Sequence, residues 1–319
     1  MHSPQLQYPE AARALIVGES ITDVVVDGQS AVDHAGGSPL NVSFGLARLG
    51  LPTAFLSDIG DDDRGVALEA HLRSVQVDLV LERVRDRRSA TATTTIGEDG
   101  SASYTFDIDW ALPVTGLDHG ASTLVHFGSI AAFLAPGAQQ VETVVERARS
   151  SAIVTYDPNI RPQLLPALDE AREMVQRHLA LSDVAKASDE DLAWLYPGVD
   201  LQSVAESWLD AGPAIVIVTC GSDGAFIATR GGLRLTLPAQ LTTVVDTIGA
   251  GDSFTAALIA GLALAGIFGA QSRASLADIS KETITAIVTR ATRCAAITVS
   301  RAGANPPTAQ ELHSWQATN

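Results

Sequence analysis

Short apolar, β-branched runs alternate along this chain with longer stretches in which apolar positions recur every three or four residues. The runs Ala14–Val17, Thr53–Leu56, Thr123–Phe127, Ile153–Tyr156 and Ile215–Thr219 read as strands. Between them, Leu40–Leu49, Gly65–Val75, Gln139–Arg149 and Ala167–Leu179 carry the helical period. Such a βαβα rhythm predicts an α/β fold with a mostly parallel central sheet flanked by helices. Two segments break it. Ile21–Ala35, with a turn at Asp27–Gly28, and Thr91–Phe106, around Gly97–Glu98–Asp99–Gly100, read as β-hairpins. One face of each is too polar for an inner strand of a doubly covered sheet, so they are expected to form a small β appendage over the main domain. The charge-free stretch Ser253–Ser272 is interrupted by Gly261, Gly266 and Gly269 and reads as a buried core helix, not a membrane span. No repeat or low-complexity linker divides the chain. One core over residues 13–319 is expected, with a lid from about 21–35 and 91–107 and residues 1–12 as a loose extension.

Composition removes whole classes of function. With 21 basic against 37 acidic residues the net charge is −16, so a broad basic surface for nucleic acid or anionic membrane is excluded. Lys186 and Lys281 are the only lysines, and neither follows a glycine loop of the Walker type, which excludes the P-loop mechanism. Cys220 and Cys294, without CxxC spacing, suggest a reducing compartment. The opening MHSPQLQYPEAA has neither a basic nor an apolar signal region, and a cytoplasmic protein is expected.

The strongest local signal is LTTVVDTIGAGDSFTAALIAGL. Gly249, Ala250 and Gly251 carry little or no side chain, so their N–H groups can converge on an anion at the positive end of the following helix. Asp252 falls where that helix's N-cap would be, and capping is one use for its carboxylate. The other is chemical. An acceptor hydroxyl must lose a proton as a γ-phosphoryl group arrives, and a carboxylate beside it can take that proton while the nest neutralises charge.

Together with GGSPLNVSFGLARLG at Gly36–Gly50, the stretch DTIGAGDSF at Asp246–Phe254 resembles the two signatures of the ribokinase-like (PfkB) family of sugar kinases, in particular its bacterial fructokinase branch. Six intermediate stretches agree: GESITD at Gly18–Asp23, IGDDDRG at Ile59–Gly65, DPNIRP at Asp157–Pro162, KASDEDLAWL at Lys186–Leu195, VTCGSDGA at Val218–Ala225 and SRAGANPPT at Ser300–Thr308. The resemblance implies a ribokinase-like fold with Asp252 as catalytic base and the backbone of Gly249, Ala250, Gly251 and Asp252 as anion hole. It implies sugar contacts at Asp23, Gly36, Gly37 and Asn41. For ATP it implies Thr219, Gly221 and Gly224 near the phosphates, Asn305 in the nucleotide wall, and Lys186 and Ser188 on the nucleotide side. The family's N-x-x-E pattern, whose Glu organises the water shell of Mg2+, appears here as Ser188 and Asp191, a shorter carboxylate that water-mediated coordination tolerates. A K+ site would use Asp246, the Ile248 carbonyl and carbonyls near Arg301 and Gly303. The hairpins match a lid that closes over the sugar, and Val24, Val26, Tyr104 and Phe106 offer it an apolar surface for substrate or for a homodimer contact.

Other features carry less. Asp61–Asp62–Asp63 suits a helix start better than a metal site, and the seven histidines lack ligand spacing. His34 is expected to face solvent. Arg161 could pair with an anionic group of substrate or nucleotide, or form a structural ion pair. The expectation is therefore an ATP- and Mg2+-dependent sugar kinase, foremost a fructokinase. The alternatives are a 2-keto-3-deoxygluconate kinase, in which Arg161 would meet a carboxylate, a ribokinase, and a non-catalytic sugar or nucleotide sensor.

Overall fold

The computed structural model describes residues 7–28, 30–80, 87–96, 102–112 and 122–315. Strand β1 (Ala14–Val17) leads into a hairpin of β2 (Ile21–Asp27) and β3 (Ser30–Gly36), then α1 (Ser38–Arg48), β4 (Thr53–Leu56), α2 (Asp63–Arg73) and the short β5 (Asp78–Leu79). A second hairpin, β6 (Ala90–Ile96) and β7 (Ala102–Asp107), precedes β8 (Leu124–Gly128), α3 (Gly137–Ala148), β9 (Ile153–Asp157) and α4 (Leu168–Leu181). Next come β10 (Val184–Ser188), α5 (Asp189–Leu195), α6 (Leu201–Ala211), β11 (Ile215–Thr219), β12 (Ala225–Thr229) and β13 (Arg234–Leu237). Helices α7 (Ala250–Leu264), α8 (Arg273–Ala277), α9 (Lys281–Val299) and α10 (Ala309–Ser314) follow.

The main sheet has nine strands in the order β13-β12-β11-β10-β9-β8-β1-β4-β5. From β11 to β5 every pairing is parallel, and β12 and β13 fold back antiparallel at one edge. Period-two alternation sends Ala14, Ile16, Ile215 and Ile217 to one face, where Leu258 and Ile284 of α7 and α9 cover them. Leu15, Val17, Val216 and Val218 go to the other, beneath Val141, Val175 and Trp208 of α3, α4 and α6. Two apolar faces are what a parallel sheet requires.

The two hairpins form one separate sheet, in the order β3-β2-β6-β7 with β2 and β6 parallel. The turn at 97–100 lies outside the described residues. Register places Val32, Val25, Thr94 and Tyr104 in one row, and His34, Asp23, Ala92 and Phe106 in the next row of the same face. Val24 sits in the row of Thr93 and Thr105, so Val24 and Val26 point away from Tyr104 and Phe106. The four apolar residues expected to share a surface are split between two faces by the pleat. At the base of this sheet Asp62 caps α2, accepting from the Gly65 N–H at 2.8 Å, and also takes the Ser89 N–H and hydroxyl at 3.0 and 2.6 Å.

Two boundaries correct the sequence expectation. Residues 7–12 are held against the domain: the Tyr8 hydroxyl donates to the Leu49 carbonyl at 3.0 Å and Ala12 is 1% exposed. The charge-free stretch is not one helix to Ser272, because α7 stops at Leu264 and Gly266 turns the chain in the left-handed region. Among the described residues no helix is long and apolar enough to cross a membrane.

Buried Asp183 joins β9 to α8. It accepts from the Val154 N–H at 2.8 Å and from Arg273 Nε at 2.6 Å. Asp183→Ala leaves both donors unsatisfied and should lower unfolding stability by about 2 kcal/mol, read from urea titrations.

Candidate active site

Helices α1 and α7 cross closely because the contact residues are small: a Cβ on Gly45 would come 3.0 Å from that of Ala256. At the N-terminal end of the contact, Ser38 Oγ donates to Asp252 Oδ1 at 2.6 Å and Asn41 Nδ2 to Oδ2 at 2.8 Å. Asp252 is not the N-cap. Gly249, in the left-handed region, takes that position, and Asp252 is the third residue of the helix with its carboxylate turned across to α1. Burial pushes the Asp252 carboxyl above its ordinary range, and the Ser38 and Asn41 bonds only partly pull it back; Asp157 adds to the rise and Lys186 opposes it.

The paired glycines serve two purposes. Gly37 caps α1 at φ 97°, where a Cβ would also come 2.9 Å from the Glu19 carbonyl. A Cβ on Gly36 would collide with the Asp23 carboxylate. Burial raises the Asp23 carboxyl, His34 and Arg161 oppose the rise, and Asp252 adds to it, so one electrostatic neighbourhood joins the small sheet, the DPNIRP loop and α7. The Arg161 guanidinium bonds the carbonyl of its neighbour Ile160 at 2.9 Å, and the residue is exposed.

Behind the GAGD turn, polar side chains interrupt the apolar face of the sheet. Lys186 of β10, 5% exposed, donates to Asp157 Oδ2 of β9 at 2.8 Å. The same oxygen accepts from Thr255 Oγ1 of α7 at 3.2 Å. His126 of β8 bonds Thr155 at 2.9 Å, and burial together with the Lys186 charge pushes it down to about 3, so it is neutral. Glu19 lies beside β1 with Oε2 accepting the Ala131 N–H at 3.0 Å, and burial pushes its carboxyl up to about 7.

Ahead of α7, Asp246 ties two loops. Its Oδ1 accepts from the Ile248 N–H at 3.0 Å and its Oδ2 from the Gly303 N–H at 2.8 Å, bonds that hold the carboxyl below its usual range. Arg301 turns its side chain away to Glu311 at 2.7 Å, which leaves its backbone to the loop. Asn305 Oδ1 accepts from Arg48 of α1 at 3.1 Å. Thr219 Oγ1 bonds the Ala187 carbonyl at 3.3 Å, and Gly221–Asp223 forms a single helical turn ahead of Gly224. Gly224 is required by packing, since a Cβ there would run into the Leu237 carbonyl, whereas Gly221 has open space. Asp191 is 6% exposed and engaged twice: Oδ1 accepts the Ile160 N–H and Oδ2 the Ser188 N–H, both at 2.8 Å, in a reciprocal capping box with Ser188.

Two groups of the sequence-predicted residues are tied to the start of α7 or to the loop before it, whereas among the described residues no hydrogen bond joins Thr219, Gly221 or Gly224 to either group. Asp23, Gly36, Gly37, Asn41 and Arg161 lie on the side of the small sheet, and Asp246, Ile248, Gly303 and Asn305 on the other. Ser38, Asp157, Thr255 and Arg48 were missed. A signal was present for Asp157 alone: it is a charged residue directly after the predicted strand Ile153–Tyr156, where it demands a partner.

A helix start led by Gly249, a carboxylate clamped beside it and glycines at the entry to α1 suit transfer of a phosphoryl group to an alcohol. The chain belongs to the pfkB family of carbohydrate kinases, whose profile it matches over residues 11–311. A fructokinase from Rhizobium leguminosarum bv. trifolii is 33% identical over 276 residues, covering 82% of this chain and 83% of that protein. Escherichia coli fructokinase is 28% identical over 320 residues, covering 95% and 99%. Fructokinase from Xylella fastidiosa with bound ATP superposes with a TM-score of 0.84 at 26% identity, over 95% of this chain and 97% of that one. A double-mutant fructokinase from Vibrio cholerae O395, in fructose, ADP and potassium ion bound form, gives 0.80 at 26% identity over 95% and 98%.

A carboxylate accepts a proton only when ionised, so with Asp252 serving as base turnover should fall as pH drops through its raised pKa. Ser38→Ala removes a bond that favours the ionised form. The acidic limb of the kcat profile should move to higher pH, and an unmoved limb would remove Ser38 from that role.

Proposed function

We propose that this kinase transfers the γ-phosphoryl group of ATP to a primary hydroxyl of fructose. The observation that carries the proposal is Asp252 in the first turn of α7, directly after Gly249–Gly251 and held at both oxygens by α1. The sugar lies between Asp23, Gly36 and Gly37 on one side and Asn41 on the other, with its reacting hydroxyl beside Asp252. Asp252 takes the hydroxyl proton, and the backbone N–H groups of the GAGD turn receive the transferring phosphoryl oxygens. Fructokinases among the relatives, at up to 33% identity, favour fructose, and the ATP-bound neighbour favours this nucleotide.

Magnesium arrives as the counter-ion of the nucleotide. Among the described residues no cluster of His, Cys, Asp or Glu is gathered to cage a metal, and both Asp191 oxygens already accept backbone bonds. These residues fit an ion that keeps phosphate oxygens and water as its ligands, with Asp191 and Ser188 behind that water shell. Thr219, Gly221, Gly224, Asn305 and Lys186 surround the nucleotide. A K+ ion fits the loop pair at Asp246, because that carboxylate already joins Ile248 to Gly303, with the Arg301 carbonyl nearby in sequence. The small sheet closes as a lid that excludes water from the acceptor site. Exposed Val32 and Tyr104, in the row next to Asp23, are its surface for a homodimer, and the cytosol is the compartment.

Exposed Arg161 near Asp23 favours a second reading, a sugar acid such as 2-keto-3-deoxygluconate, whose carboxylate the guanidinium would pair. ADP release over a panel of fructose, ribose, 2-keto-3-deoxygluconate and nucleosides separates them. Fructose should give the highest kcat/KM; preference for the keto acid selects the second reading, and silence with every sugar rejects both. Asp252→Asn should lower kcat at least about 100-fold while calorimetric sugar binding persists. Turnover should be higher in potassium than in sodium, and Asp246→Ala should flatten that difference.

A further inference from the structure

Lys186 is one of two lysines in a chain of net charge −16, and it is buried. An ammonium has three N–H donors, and taking it out of water is costly unless they are used. Among the described residues its one hydrogen-bond acceptor is Asp157 Oδ2, at 2.8 Å, which leaves the other donors uncommitted. Burial alone pushes the ammonium down, but Asp157, Asp191 and Asp252 outweigh it and hold Lys186 above its ordinary range, so it stays charged.

Its position gives those donors a direction. A Cβ built on Gly251 would stand 3.2 Å from Lys186 Nζ. Gly251 is exposed, so the ammonium lies just behind the glycine of the anion-receiving turn, with no side chain at that position in its way. Asp157 fixes it there and is itself fixed by Thr255, one helical turn beyond Asp252. A cation that cannot swing out is preorganised for charge that develops in one place.

We propose that Lys186 is a catalytic residue of phosphoryl transfer, its clamped ammonium donating to the oxygens of the phosphoryl group as it passes the Gly249–Asp252 turn. The proposal rests on the kinase reading above. The bond from γ-phosphorus to the ADP oxygen breaks with its electron pair leaving on ADP, the bond to the sugar oxygen forms, and the hydroxyl proton goes to Asp252. Lys186 neither gains nor loses a proton. The competing role is that of a counter-ion, present only to neutralise Asp157.

Four proteins separate the two roles: wild type, Lys186→Met, Asp157→Asn, and the double variant with both changes. Lys186→Met should lower kcat about 100-fold or more, with the KM for ATP within about threefold of wild type. Its acidic limb should move to higher pH, because a charge that favours ionised Asp252 is gone. Lys186→Met leaves Asp157 buried without its partner and unfolds more readily, whereas the double variant removes both charges. The double variant should recover stability in urea and stay slow, while Asp157→Asn, which keeps the ammonium, should stay well above it in kcat. The Lys186 proposal is overturned if Lys186→Met or the double variant turns over within about tenfold of wild type, or if Asp157→Asn is as slow as the double. A wild type that releases no ADP with any sugar instead rejects the kinase reading, and this proposal with it.

Discussion

The contact between α1 and α7 is the constraint on which the rest of the site depends. Ser38 and Asp252 are 214 residues apart in sequence, and their hydrogen bond at 2.6 Å requires the two helices to meet at their N-terminal ends. Small residues at Gly45 and Ala256 permit the approach, and Gly37 permits the sharp entry into α1. The opposite end of α1 is fixed as well, since Arg48 reaches Asn305 Oδ1 at 3.1 Å and Glu311 at 3.3 Å. A helix of 11 residues is about 16 Å long, so one rigid element touches both the carboxylate and the loop joined through Gly303 to Asp246. Close-packed interiors transmit displacements, and a shift of α1 at either end is felt at the other.

Much of this was legible before the fold was known, for identifiable reasons. The strands Ala14–Val17, Thr53–Leu56 and Ile215–Thr219 have the predicted bounds, because central parallel strands are short, apolar and sharply ended. Strand β10 was missed: VAKAS places a charged residue at its centre and two alanines beside it, so it has little strand signal of its own. Helix α9 was passed over because its Thr- and Arg-bearing face hides the apolar stripe of Ile284, Ile287, Val288 and Ala291. The α/β class followed from period and the second small sheet from turn residues and a polar face, whereas the faces of that sheet did not. Whether Val24 shares a side with Tyr104 depends on register between hairpins far apart in the chain, and a shift of one residue reverses it.

In the site, the GG and GAGD signatures stood out because backbone geometry needs glycine there, and each stands where the chain turns into a helix. Asp252 was found as a residue but misplaced as an N-cap. Local sequence cannot distinguish a carboxylate that folds back on its own helix from one that reaches across to Ser38 and Asn41, as both begin a helix after a small-residue turn. Lys186 was named on the nucleotide side, but its partners Asp157 and Thr255 came into view only when parallel pairing set β9 beside β10 and α7 lay over both.

The electrostatics of the site is a local matter, almost independent of the net charge of −16. Exposed charges more than about 10 Å away are screened by salt, while groups behind the GAGD turn face one another through protein. There the Asp252, Asp157 and Asp191 carboxylates surround a single ammonium, and each acts on the pKa of Lys186. The three carboxylates differ in what holds them: Asp191 by backbone N–H groups, Asp157 by Lys186, Thr255 and the Asn159 N–H, and Asp252 by a hydroxyl and an amide. Asp252, bonded only to neutral side-chain donors, is pushed above its ordinary range by burial that those donors only partly offset. Burial with neutral side-chain donors alone thus sets Asp252 apart, and an acidic chain can hold all three carboxylates because each has its own set of donors.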